Sequence, residues 1–334
     1  MKKYLKEKKI RLDLKDRKIL YELDKDARQP ASRIARKVGL STDGVNYRIK
    51  KLLENKVIFK LMTLLDTAKL GFTTYKIFFR FQNTTSRMEK NIINFLKDHP
   101  NTQLVTTAEG MFDLNVNVLA GSAEELNTIL NEFNNKFGKY IAERQVDIMV
   151  KSNFFFRDYF IGKSSIQYRK PMYFGSKPEP VKMDETNKKI ITFLAKDARI
   201  PTVKIASGIG LSPDAIADRI RKLEKSGVIQ NYVLFPNSED IGYTWNYVMM
   251  RFSVADQERE RTFFNFCRAN QNVWFYSRMI GQWDVVINIE TEEHETFKNI
   301  MTQIKREFSD IIKEYSILQI SKTYKFNQYP MGNV

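Results

Sequence analysis

LDKDARQPASRIARKVGLS, residues 23–41, lies on LAKDARIPTVKIASGIGLS, residues 194–212, when the chain of 334 residues is shifted by 171 positions. Lys25, Asp26, Ala27, Arg28 and Pro30 fall on Lys196, Asp197, Ala198, Arg199 and Pro201. Gly39, Leu40 and Ser41 fall on Gly210, Leu211 and Ser212. Between residues 13–60 and 184–231, roughly 20 of about 48 positions are identical, without gaps. The same offset pairs Gly71 with Gly242, Arg80 with Arg251, Gly110 with Gly281 and Asp113 with Asp284. A duplicated unit of about 150 residues follows. Residues 161–181 hold three prolines, two glycines and three serines and read as the linker between the copies.

Each copy begins as a helical reader. Ile19, Leu20, Leu23 and Ala27 recur at helical spacing, with Asp13 and Asp16 near the start. Pro30 suits the opening of a short second helix whose apolar face is Ile34, Ala35 and Val38. Gly39 can take the left-handed conformation that ends it. Ser41 then caps a third helix that buries Val45, Ile49 and Leu52. Two helices joined by a short glycine-containing turn make a helix-turn-helix, and the β-rich stretch 57–65 follows as a wing would.

The third helix is the natural recognition element, with its first turns in the major groove. Ser41, Thr42, Asp43, Asn46, Tyr47 and Lys50 lie at its start and on its polar side. Asn can pair bidentately with adenine, and Arg or Lys with guanine edges or phosphates. Arg48 and Lys51 meet phosphate or pack on the domain. In the second copy Ser212, Arg219, Arg221 and Lys222 are the matching candidates, but Ala217 replaces Asn46 and Asp218 replaces Tyr47. Acids beside phosphate repel, so the second reader is expected to be weaker or differently specific.

Charge is distributed accordingly. The net charge of +16 points to a polyanionic partner. Residues 1–60 carry 19 − 8 = +11, residues 177–235 carry 11 − 7 = +4, and everything else carries 16 − 11 − 4 = +1. Lys2, Lys3, Lys6, Lys8, Lys9 and Arg11 form a basic arm ahead of the first reader, suited to phosphate or minor-groove contacts.

The second half of each copy reads strand, helix, strand, strand, helix, strand. In copy one the strands fall near 74–81, 103–109, 113–119 and 141–149, and the helices near 88–97 and 123–137. In copy two the strands fall near 246–253, 273–280, 284–290 and 312–321, and the helices near 258–268 and 293–308. This is a ferredoxin-like βαββαβ motif, with helices on one sheet face. The other face needs a cover, so it is expected to pack on a second such domain, within the chain or across two chains. The hairpins Gly110-Met111-Phe112-Asp113 and Gly281-Gln282-Trp283-Asp284 are tight turns. Their amides and acids could also edge a small-ligand pocket at a domain interface.

The start LDLKDRKILYELDKDAR, the turn KVGLS and the helix end RIKKLLENKVI resemble the reader of the leucine-responsive/asparagine regulator (Lrp/AsnC) family, nearly the whole chain being covered twice. GMFD and GQWD are similar to that family's Gly-Asp-type turn, but neither has the acid directly after Gly. The resemblance implies winged helix-turn-helix domains plus sensing domains that dimerise and often bind amino acids. Family members usually carry one unit per chain, so the fusion is a departure.

The expected organisation is α+β: a reader with its basic arm (1–66), a ferredoxin-like sensing domain (67–160), the linker (161–181), a second reader (182–237) and a second sensing domain (238–330). The function expected is that of a sequence-specific regulator of transcription binding double-stranded DNA. An amino-acid effector near Gly110 and Asp113 or Gly281 and Asp284 is a further expectation. The assembly would be a homo-oligomer or an intrachain pseudo-dimer. The rival is an enzyme, since siroheme decarboxylases share this two-domain plan and can occur fused. Against that rival, His99 and His294 fall beside helices outside any His/Cys/Asp cluster and read as surface residues. No nucleophile–base pair, Walker loop or metal spacing appears, so no catalytic residue, cofactor or metal is expected. RNA or nonspecific chromatin-like binding is a third reading. Cys267 lies on an apolar helix face and reads as core, and the run Phe154-Phe155-Phe156 as packing rather than a base-stacking platform. One cysteine excludes a disulfide framework, and no apolar run suffices for a membrane span, as expected of a soluble cytoplasmic protein.

Overall fold

The computed structural model describes residues 10–162, 172–175, 180–253 and 257–329. The first reader consists of helices α1 (Leu14–Lys25), α2 (Ala31–Val38) and α3 (Thr42–Glu54), followed by strand β1 (Ile58–Leu65). Asp13 caps α1 in a capping box with Asp16, and Gly39 ends α2 at φ +67°. The first sensing unit follows as β2 (Thr73–Phe81), α4 (Ser86–Asp98), β3 (Thr102–Glu109), β4 (Leu114–Ala120), α5 (Ala123–Phe137) and β5 (Ile141–Phe154). A short strand β6 (Met172–Phe174) lies in the segment read from sequence as linker and pairs with β5, so that segment is not wholly irregular.

Copy two repeats the order. Its reader is α6 (Glu185–Lys196), α7 (Thr202–Ile209), α8 (Pro213–Lys225) and β7 (Ile229–Pro236). Its sensing unit is β8 (Thr244–Phe252), α9 (Gln257–Ala269), β9 (Val273–Ile280), β10 (Val285–Thr291), α10 (His294–Phe308) and β11 (Ile312–Phe326).

The two sensing sheets join at their edges. The strand order β2-β4-β3-β11-β8-β10-β9-β5 returns to its start through the pairing of β2 with β5, which makes a closed eight-stranded barrel. Closure comes from two long strands. β5 pairs with β2 over its first part and with β9 from Ile148 onward. β11 pairs with β8 first and with β3 from Gln319 onward. From sequence both strands were expected to end sooner, at 149 and 321. Their extensions exist because each finds the other unit's open edge, and closure leaves no unpaired edge in the ring. The uncovered sheet face expected from sequence is the barrel's interior, and both sensing units that form it belong to one chain.

The two wings also pair with each other, β1 antiparallel to β7. Their side chains alternate. Ile58, Leu61 and Leu65 of β1, with Ile229, Tyr232 and Leu234 of β7, enter the core of the readers. Met62 and Leu64, with Val233 and Phe235, enter the barrel core beside Trp245 and Trp274. The wing sheet is thus buried on both faces, between readers and barrel. Cys267 is buried in the core beneath α9 and α10 with Phe155, and Phe154 packs edge-on against Trp274 at 5.3 Å.

Candidate nucleic-acid interface

Two arginines of the repeated motif hold the readers together. Arg28 donates to the carbonyls of Ala198 and Ile200 at 2.7 and 3.0 Å. Arg199 donates to those of Ala27 and Gln29 at 2.6 and 3.1 Å. Between them, the Ala27 amide donates to Tyr232 O at 2.8 Å and the Ala198 amide to Leu61 O at 3.1 Å. Each bond has its counterpart in the other copy, so the readers pair about an approximate two-fold axis, as the protomers of a symmetric dimer would. Both arginines belong to the repeat, but their role is not apparent from sequence alone. The repeated DAR itself was the available signal, because a residue at a two-fold contact must serve in both copies.

The recognition helices have matching frames. Ser41 Oγ accepts from the Gly44 amide at 3.0 Å, and Ser212 Oγ from the Ala215 amide at 3.2 Å. Ser41, Thr42, Asp43, Asn46, Tyr47 and Lys50 form an exposed strip, with Tyr47 63% exposed. Lys50 and Lys51 reach Glu54 at 3.9 and 3.2 Å, weak surface pairs that a phosphate could displace. Arg48 is turned inward, pairing with Asp13 and Asp16 at 2.8 and 2.7 Å. Arg219 does the same with Asp184 and Asn187 at 2.7 and 2.9 Å. Of the alternatives open for Arg48, packing on the domain is the one taken, and Arg219 follows it. Their partners sit at the start of the first helix, so these arginines brace the recognition helix. In copy two Arg221 pairs with Asp218, while Ser212 and Lys222 are exposed. Arg11 is at the end of the basic arm; Lys2, Lys3, Lys6, Lys8 and Lys9 lie outside the described residues.

The hairpin acids have structural partners. Asp113 accepts from the Phe81 amide at 2.7 Å and Asp284 from the Phe252 amide at 2.8 Å, each bracing the end of its unit's first strand. Gly110 and Gly281 have φ of +134° and +155°. A Cβ on Gly110 would strike Ile317 O at 2.9 Å, and one on Gly281 would strike the carboxylate of Asp147. These glycines therefore permit close approach to β11 and β5. His99 is not the surface residue expected, since its side chain is only 9% exposed beside Glu132, and burial lowers its pKa. His294 is exposed. Among the described residues no group of three His, Cys, Asp or Glu is placed to hold a metal, and no helix is long and apolar enough to cross a membrane.

One cluster was not foreseen. Arg157, just after β5, is completely buried. It pairs with Asp24 of α1 at 2.9 Å and Glu290 of β10 at 2.8 Å, and its guanidinium stacks 4.2 Å from the Trp274 ring centre. Ser238 Oγ and Tyr159 Oη also donate to Glu290. Burial raises the Asp24 pKa to about 6, with Arg157 opposing the rise. This network ties the first reader to the barrel. The offset positions hold Ala195 and Gln328 in copy two and Leu119 in copy one, so no equivalent network can form.

A family model described as an AsnC-type helix-turn-helix domain matches residues 12–53 and again 183–224. An uncharacterized HTH-type transcriptional regulator of Pyrococcus abyssi is 33% identical over 113 residues, 34% of this chain and 76% of that protein. The HTH-type transcriptional regulator LrpA of Pyrococcus horikoshii is 39% identical over 81 residues, 24% of this chain and 55% of that protein. Among solved structures, the siroheme decarboxylase NirDL is similar over 93% of this chain and 92% of that one, with a TM-score of 0.60 and 14% identity. At that identity the likeness is one of fold.

Proposed function

This chain belongs to the Lrp/AsnC family of HTH-type transcriptional regulators, and on that premise we propose that it grips double-stranded DNA as an intrachain pseudo-dimer of two unequal readers. The reciprocal Arg28 and Arg199 bonds carry the reading, because they fix two recognition helices as a pair within one chain. A two-fold pair of this kind suits two half-sites about one helical turn apart. In the first half-site Asn46 pairs with a base edge, Tyr47 adds contact area, and Lys50 and Lys51 meet phosphate. Ser41, Thr42 and Asp43 approach the backbone at the helix start. In the second half-site Arg221 and Lys222 supply the cations, and Asp218 opposes phosphate.

The domain limits inferred from sequence serve this reading with one change of emphasis: readers and sensing units act as two paired layers rather than four beads. The regulator reading is also favoured over the decarboxylase one by sequence: regulators match this chain at 33% and 39% identity, the decarboxylase at 14%. An amino-acid effector at the hairpins has little support, since both acids are engaged by backbone.

Gel shifts with Asn46→Ala test the base contact. Discrimination between preferred and unrelated duplexes should fall by about 1–3 kcal/mol while binding to unrelated DNA persists. Unchanged discrimination would remove Asn46 from the readout.

A further inference from the structure

Lys76 is fully buried inside the barrel. Its Nζ donates to Tyr247 Oη at 2.8 Å. An ammonium has three donors, and among the described residues no carboxylate forms an ion pair with this one. The nearby acid, Asp147, accepts instead from the Gln282 amide at 2.8 Å and Gln145 Nε2 at 2.6 Å. A buried cation without an anion is heavily penalised, and burial lowers the Lys76 pKa to about 7. Copy two has Tyr247 and Leu318 at the positions of Lys76 and Asp147, so the arrangement occurs once.

Lys76 lines a cavity of about 50 Å³ together with Gln103, Asn117, Tyr247, Trp274 and Asn288. Three polar atoms of that lining are buried without a hydrogen-bond partner among the described residues: the donors Trp274 Nε1 and Asn288 Nδ2 and the acceptor Asn117 Oδ1. The wall therefore offers a cation, two neutral donors and an acceptor. A carboxylate satisfies the cation and the donors, and a neighbouring hydroxyl satisfies the acceptor. At roughly 10–15 Å³ for each water-sized position, the space holds about four or five non-hydrogen atoms. Among the described residues no acid lines the cavity, so an ammonium beside Lys76 would be repelled.

We propose that this cavity binds a small 2-hydroxy acid of two carbons, glycolate, whose five non-hydrogen atoms match the space. Lys76 pairs with the carboxylate, Trp274 Nε1 and Asn288 Nδ2 donate to it, and Asn117 Oδ1 accepts from the hydroxyl. Leu64 and Leu65 of the first wing share the wall, so the ligand touches the sheet that joins the readers. The proposal does not depend on DNA binding.

Two of the chain's three tryptophans, Trp245 and Trp274, line the cavity, which gives a direct readout. Titrating the full-length protein with glycolate should produce a saturable fluorescence change in the millimolar range. Acetate, lacking the hydroxyl, should bind roughly ten-fold more weakly, and glycine should also be weaker. Lys76→Met should abolish the change with circular dichroism preserved. If that variant fails to fold, Asn117→Leu serves instead and should weaken glycolate while leaving acetate nearly unaffected. Absence of a saturable change with glycolate would overturn the proposal. So would tighter binding of glycine, or a glycolate response unaltered in Asn117→Leu.

Discussion

The first and second readers are built from the same three helices and a wing, yet they meet their surroundings differently. The first has Asn46, Tyr47 and Lys50 on its exposed strip and is anchored to the barrel through Asp24, Arg157 and Glu290. The second has Ala217, Asp218 and Arg221 there, and Ala195 where Asp24 would be. What the copies retain in common is the pairing arginines, Arg28 and Arg199, and the braces within each copy, Ser41 and Ser212, Asp113 and Asp284. Fusing two units into one chain removes the demand that every position serve both halves of a symmetric dimer. The arginines of the two-fold contact remain equal, whereas Asn46, Tyr47 and Asp24 have diverged to Ala217, Asp218 and Ala195.

The largest expected effect is at the anchor. Arg157→Met leaves Asp24 and Glu290 buried without their cation, and should destabilise the protein by about 3–5 kcal/mol in urea unfolding. Gln328→Ala, at the offset position of copy two, should cost well under that. Comparable losses would mean that the anchor is not what distinguishes the copies.

Lys76 provides a second contrast, read through pH. Its folded-state pKa of about 7 lies below its ordinary 10.5, so between these values the unfolded chain binds the extra proton. Stability should therefore rise as pH climbs from about 7 toward 10.5, and the Lys76→Met variant should lack that rise. A parallel pH profile in both proteins would show that Lys76 is solvated.

Arg28→Ala and Arg199→Ala should be nearly equal, each costing about 1.5–3 kcal/mol for lost charged hydrogen bonds and weakening DNA binding by loosening the pair. A large inequality would break the two-fold account of reader pairing.

Most of the architecture was legible because it is written locally. The DAR-x-P motif, the Gly-Leu-Ser turn and the alternation of apolar residues located both readers and both βαββαβ units. The ends of β5 and β11 were not legible, because residues beyond Met149 and Ser321 are strands only by virtue of a distant edge. The anchor was hidden for the same reason. Asp24, Arg157 and Glu290 lie 133 residues apart at each step, and no local pattern links them. Arg48 and Arg219 show the converse limit: the sequence placed them on the right helix, but the helix face alone did not reveal that Asp13, Asp16 and Asp184 would claim them.

A smaller effect separates the two recognition surfaces. Lys50→Ala should weaken binding to all duplexes and lower the salt slope by about 1, if Lys50 meets phosphate. Arg221→Ala should do less, because Asp218 already engages that guanidinium. Equal losses would mean that the readers grip DNA alike.

Selection of bound duplexes from a random library by the full-length protein, followed by sequencing, tests the central claim most directly. The account predicts one sharply defined half-site and a second, weakly defined one about a helical turn away, with Asn46→Ala blurring only the sharp half. A palindrome with equally specified halves would contradict the inequality of the readers, and the absence of any enriched sequence would contradict specific recognition altogether.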